Sequence, residues 1–200
     1  MEILEKEDFS CVGMVAKHCD FSKLCIAEDE ALIFDLSELF CDFWNDILTY
    51  WQEVEDYDAN PDLVIPENYE EKKNLIFGGN FNGCGGGIAT HLGVKRVLIY
   101  YTYSRYILLN GFNDTPSGMV QKTNEWSIPK PLNEVQTFSD KYRNMGYLSY
   151  KKTLNFLCHN REIFTNFKAK DCEKCGCECD SCNGSTKVRG YGIKSAIIKK

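Results

Sequence analysis

The sequence predicts a mainly α protein, a helical bundle of three to four main helices with long extended loops and a small C-terminal cysteine-rich tail with a short strand. Two observations predict it. Apolar residues recur at three- and four-residue steps in long segments, which places them on helical faces. Only five prolines interrupt 200 residues. A composition 44% hydrophobic and 13% aromatic is that of a chain that packs a core, since disordered segments lack the apolar area to offset ordering. The length suits one core and one appendage, which divides the chain into a helical domain over residues 1–168 and a cysteine-rich tail over 169–200.

Residues 1–30 interleave Cys11, Cys19 and Cys25 with Phe9, Val12, Val15, Phe21 and Leu24, a pattern of short helical turns. A short helix over Asp29 to Phe34 is expected next. From Leu36 the periodicity is plain: Leu36, Leu39, Phe40, Phe43, Trp44, Ile47, Leu48, Trp51 and Val54 share one helical face. Asp35 with Glu38 three residues later reads as a capping box opening that helix. The acidic stretch Glu53 to Asn80, with Pro61 and Pro66, and the glycine run Gly78 to Gly87 read as loop, because glycine runs carry too much backbone entropy for a helix.

The next helix is expected from about His91 to Leu109, ending at Gly111 as a C′ residue. Leu92, Val97, Leu98, Tyr101, Leu108 and Leu109 form its inner face. Ile99, Tyr100, Tyr103, Tyr106 and Ile107 make its other sides apolar too, so it is buried centrally or at a subunit contact. Phe112 to Lys130 holds two proline-containing turns and reads as an extended connection, long enough to suggest a function. Pro131 fits the first turn of a last helix. Val135, Phe138, Tyr142, Met145, Ser149, Phe156 and Leu157 carry that helix to about Asn160. The expected strand is Lys187 to Ile198.

The net charge of −6 conceals a split. Residues 1–93 hold 20 acidic and 5 basic groups, and residues 94–200 hold 9 acidic and 18 basic. Such asymmetry points to a charged arm, a nucleic-acid face, two solvated faces of one domain, or complementary faces that meet in an oligomer. The N-terminal Met1-Glu2-Ile3-Leu4-Glu5-Lys6 has no basic run before an apolar region. No stretch reaches the roughly 18 uninterrupted apolar residues of a membrane span. A soluble chain made in a cytosol, without a membrane partner, is expected, and its 11 cysteines are expected to be mainly reduced.

The strongest local chemical signal is Cys172-x2-Cys175-x-Cys177-x-Cys179-x2-Cys182. Two C-x2-C turns, Cys172/Cys175 and Cys179/Cys182, could supply four thiolates to a tetrahedral zinc ion. The gap between the turns is shorter than in common zinc ribbons, so Cys177, or Cys158 and His159, could replace a ligand. A redox-active thiol cluster is the rival reading. No other cofactor is indicated. The glycine run matches neither phosphate-loop pattern, and His18, His91 and His159 form no metal pair. No serine sits in a nucleophile elbow, and Glu28, Asp29, Glu30, Glu70 and Glu71 read as solvated charge. The chain is therefore expected not to be an enzyme.

At Phe112-Asn113-Asp114-Thr115-Pro116-Ser117-Gly118-Met119-Val120-Gln121-Lys122-Thr123-Asn124-Glu125-Trp126-Ser127, and again at Lys141-Tyr142-Arg143-Asn144-Met145-Gly146-Tyr147, the chain resembles a known family. It is similar to the small head-to-tail connector, or ring, proteins of tailed bacteriophages, most closely those of the crAss-like phages. The likeness spans most of the chain, including Phe21 to Val54, the glycine loop, Val94 to Gly111, the last long helix, the cysteine cluster and Gly190-Tyr191-Gly192.

The resemblance implies a virion structural protein, made in the bacterial host cytoplasm and placed at the head-tail junction. It implies a ring, twelvefold in such connectors, that contacts the portal and other connector or tail proteins and surrounds channel DNA without sequence-specific binding. It carries no catalytic residues to transfer. A ring joins one face to a different face of the next copy, and opposite charge would favour that register. The over-apolar helix and the reach of the 112–130 loop, about 3.3 Å per extended residue, fit the same reading. Thr115, Pro116, Gly118, Met119, Val120, Trp126 and Pro129 are the expected interface residues, although Met119 and Trp126 could equally close this chain's own core. The rivals are a zinc-containing nucleic-acid-binding accessory protein, favoured by the basic second half, and a thiol redox enzyme.

Overall fold

The computed structural model describes residues 3–12, 21–83, 87–115, 118–121 and 131–168. A 3₁₀ turn over Lys6–Val12 precedes α1 (Phe21–Glu30), a π-helical segment (Ala31–Leu36), α2 (Ser37–Phe40), a second 3₁₀ turn (Cys41–Phe43) and α3 (Trp44–Ala59). Then come α4 (Tyr69–Phe77), the hairpin of β1 (Gly79–Asn82) and β2 (Ile88–His91), α5 (Gly93–Asn110), the hairpin of β3 (Phe112–Thr115) and β4 (Gly118–Gln121), and α6 (Leu132–His159). The fold is mainly helical, as the periodicity predicts. The expected tail with its strand, residues 169–200, lies outside the described residues.

The helix that is apolar all round is the axis of the fold. α5 lies along α6 and is covered on its other sides by α1, α4, the π segment and the N-terminal turn. Val94, Val97, Leu98, Ile99, Tyr100, Tyr101 and Tyr106 are all buried by this chain alone. Of the two settings expected for this helix, the structure shows the central one: the N-terminal half wraps the sides that α6 leaves open. Leu92, expected on the inner face, precedes the helix and is exposed. Gly111 keeps a right-handed φ of −69°, so the helix ends without the left-handed glycine expected there.

Ser104 and Arg105, polar residues in the apolar middle of α5, fasten it to its neighbours. Ser104 Oγ donates to Ser139 O at 3.0 Å, and Ser139 Oγ donates back to Ser104 O at 2.9 Å. Arg105 Nε donates to Asp35 Oδ2 at 2.6 Å and its Nη1 to Glu30 Oε2 at 2.9 Å. Arg143 from α6 reaches the other Asp35 oxygen at 3.2 Å.

Asp35 is therefore no capping residue. It sits buried inside the π segment, because one buried carboxylate that receives guanidinium donors is stabilised far more than one left unpaired. Glu28 is likewise no solvated charge: it is buried, and its Oε1 accepts the backbone N–H groups of Ile3 and Leu4 at 2.8 and 3.0 Å.

The expected helix from Leu36 to Val54 is broken at Cys41, whose φ is 51°. The chain changes direction there, and Phe40, Phe43 and Trp44 all still enter the core, as their shared helical spacing predicts. Phe43 then meets Phe164 and Phe167, which return from beyond α6, at ring separations of 6.3 and 5.2 Å. Cys41 is disulfide-bonded, an exception to thiols expected to be mainly reduced.

The acidic stretch read as loop contains the end of α3 and the whole of α4. Leu75 and Ile76 anchor α4 in the core, while Lys72–Glu53 and Lys73–Asp58 ion pairs at 2.6 and 3.0 Å fasten it to α3. Within the glycine run, β1 and β2 pair antiparallel with Gly79 opposite His91 and Asn82 opposite Ile88.

α6 starts from Pro131, which takes an extended ψ of 145° as the N-cap rather than entering the first turn. Its buried face carries Ser139, Gly146, Ser149 and Thr153, small residues that let α5 approach closely. Phe138, expected inside, is half exposed.

Candidate subunit interface

The segment on which the interface residues were expected is a hairpin that follows directly from α5. β3 and β4 pair antiparallel, with Phe112 opposite Gln121, Asn113 opposite Val120, Asp114 opposite Met119 and Thr115 opposite Gly118. Four of the seven expected interface residues, Thr115, Gly118, Met119 and Val120, thus fall in one short ladder. Pro116, Trp126 and Pro129 lie outside the described residues. Among the described residues β3 and β4 pair only with each other, and a lone two-stranded hairpin is marginal in water. Outer strand edges of this kind carry backbone N–H and C=O groups able to pair with another chain.

The charge split is partly neutralised within one chain. Lys95–Asp8 at 2.8 Å, the two Arg105 pairs and Arg143–Asp35 all join the basic second half to the acidic first half. What remains outside is still sorted. Residues 35–70 contain eleven acidic residues and no lysine or arginine. Exposed lysines at 141, 151 and 152 lie along α6. α3 packs on α4, α4 on α5 and α5 on α6.

Two buried groups titrate far from their ordinary values without forming a site for chemistry. Burial lowers His91 to about 4; its ring stacks on Phe156 at 4.3 Å, and neither ring nitrogen has a hydrogen-bond partner among the described residues. Burial, assisted by the Asp35 charge, raises Tyr101 to about 12. Among the described residues no three histidine, cysteine or acidic side chains are grouped as metal ligands. The five cysteines considered for zinc, Cys172, Cys175, Cys177, Cys179 and Cys182, lie outside the described residues. Cys158 and His159 end α6, where His159 Nδ1 lies 2.7 Å from Asn155 O. No helix among the described residues is long and apolar enough to cross a membrane.

Residues 52–177 match the model of a family of unknown function, DUF6712. The chain belongs to that family. The matched region runs from within α3 through both hairpins and the α5–α6 pair, so the DUF6712 region contains the hairpin of interest and excludes Asp35. No curated protein and no solved structure matches the chain.

The sequence missed one exposed feature. Leu63, Val64 and Ile65, between Pro61 and Pro66, are 49%, 92% and 62% exposed. Their signal was available, since an apolar triplet in an acidic, proline-flanked loop has no helical face to join.

Proposed function

We propose that this chain is a non-enzymatic structural subunit of a head-tail connector ring in a tailed phage virion, twelvefold around the DNA channel and in contact with the portal. The observation that carries the reading is the β3–β4 hairpin. The longest connection of the helical body is built into a short ladder whose outer edges have no strand beside them among the described residues, and a neighbouring subunit would complete it. The family resemblance of the 112–127 segment supports the same reading, as does the sorting of acidic and basic residues along the chain. Zinc in the cysteine tail would serve to fold that tail.

Mass measurement of the native protein tests it. The expected result, alone or with portal protein, is a closed species at twelve times the 22.9 kDa chain. A chain that remains monomeric with the portal present overturns the ring.

A further inference from the structure

The Pro61–Pro66 loop is an apolar triplet held in an acidic setting. Residues 55–71 contain seven acidic residues and no lysine or arginine. Pro61 and Pro66 fix their own φ, and Pro66 restricts Ile65 before it, so the loop is stiffened at both of its ends. Isolated exposed apolar residues are ordinary, but three in succession are not.

The outer face of α6 has the opposite character. Leu148 is 60% exposed. Helical spacing sets Lys141 seven residues before it and Lys151 and Lys152 three and four residues after it, all on its own face. Tyr147 adds a half-exposed ring beneath Lys151, whose Nζ lies 5.2 Å from the ring centroid. Among the described residues none of these three lysines forms an ion pair with a carboxylate. The patch is an apolar centre with a basic rim, and the loop is an apolar centre with an acidic rim.

We propose that the Leu63–Ile65 loop of one copy seats on the Leu148 patch of the next, with Asp62 and Glu67 facing Lys151 and Lys152. The two surfaces differ, so the contact is heterologous and propagates from copy to copy as a ring requires. It deepens the ring reading and rests on it, naming the partner as a second copy of this chain.

Sedimentation of the full chain tests it, with two exposed charge reversals. Lys151→Glu with Lys152→Glu, and separately Asp62→Lys with Glu67→Lys, are each expected to weaken association at least ~10-fold. Mixing the two variants is expected to restore it, because each then offers the charge that the other lacks. Val64→Ser with Ile65→Ser is expected to weaken association without changing its salt dependence. Reversals that assemble like the natural chain would overturn this contact and leave the ring standing on its hairpin. A natural chain that stays monomeric even with the portal removes both. If the lysine reversal abolishes retention on a short DNA duplex while assembly is unchanged, the patch is a nucleic-acid surface and the proposal fails.

Discussion

Arg105 Nε donates to the buried Asp35 carboxylate across 2.6 Å, joining the middle of the central helix to a π-helical turn seventy residues earlier. Arg105 also lies over Phe34, 5.6 Å from its ring centroid, so its stem and head are both committed. Replacing Asp35 by Ala should leave the guanidinium with only Glu30 and cost about 3 kcal/mol, toward the lower end for a broken buried pair because Arg105 is partly exposed. Arg143 is largely exposed, and Arg143→Ala should cost under about 1 kcal/mol. Urea unfolding midpoints measure both. Equal losses would mean that Asp35 is held by its burial and not by Arg105.

Gly93 has a φ of 75°, and a Cβ there would overlap Gly78 N and Ile76 O. Gly93→Ala should therefore cost at least about 2 kcal/mol, from backbone strain and displacement of the β1–β2 hairpin together. Gly87, at the tip of the same hairpin, has open space around the Cβ position, and Gly87→Ala should change stability by less than about 1 kcal/mol. Thermal midpoints of the two variants decide whether this glycine run is needed for close approach at its ends or for flexibility at its tip.

Gly146 separates two effects that oppose each other. An added Cβ would gain about 1 kcal/mol of helix propensity but meet Tyr101 ring carbons at 2.8 and 2.9 Å. The ring sits between α5 and α6 and is buried, so overpacking should win, with a net loss of about 1–2 kcal/mol for Gly146→Ala. A stabilised variant would show that the tyrosine can move aside freely.

These residues also show what the sequence could reveal. The periodic faces of α3, α5 and α6 were legible because each repeats over several turns, and a repeated face has one explanation. Asp35 was not, since a capping box and a buried anchor use the same residue at a helix-like position. Arg105, the one charge between Val97 and Leu109, was the signal for a carboxylate elsewhere in the chain. α4 was hidden because only Leu75 and Ile76 are buried and ion pairs to α3 do the remaining fastening. The segment proposed for the interface was singled out by its length and by resemblance, and nothing in the spacing of residues 112–121 announces a hairpin.

If that hairpin joins subunits, Met119→Asp with Val120→Asp should separate assembly from folding. Charges introduced at a subunit contact should weaken association by at least about 2 kcal/mol, the scale of a hot spot. If they face a neighbouring subunit and not this chain's own core, the thermal midpoint of the monomer should move by less than about 2 °C. A native-mass titration reads the first and calorimetry the second. Unchanged assembly would remove the hairpin from the interface.

His91 gives the fold an acid limit. The ring is 1% exposed, stacks on Phe156, and meets Phe81 edge-on at 5.7 Å, with no acceptor among the described residues for a proton on either nitrogen. Phe81 also touches His159 at 5.3 Å, so the β1–β2 hairpin is docked on the end of α6 by aromatic contact. Burial lowers His91 from 6.5 to about 4: the unfolded chain takes up the proton first. This contribution is therefore complete above pH 6.5 and is lost as pH falls from there toward 4, amounting to about 3 kcal/mol. His91→Phe keeps the stacking and removes the titration, and it leaves other protonating carboxylates common to both chains. The difference in urea midpoint between the variant and the natural chain should be small at pH 7 and should widen in the variant's favour at pH 5.5 and again at 4.5. A difference that does not vary with pH would mean that His91 reaches a proton acceptor or water in the folded state.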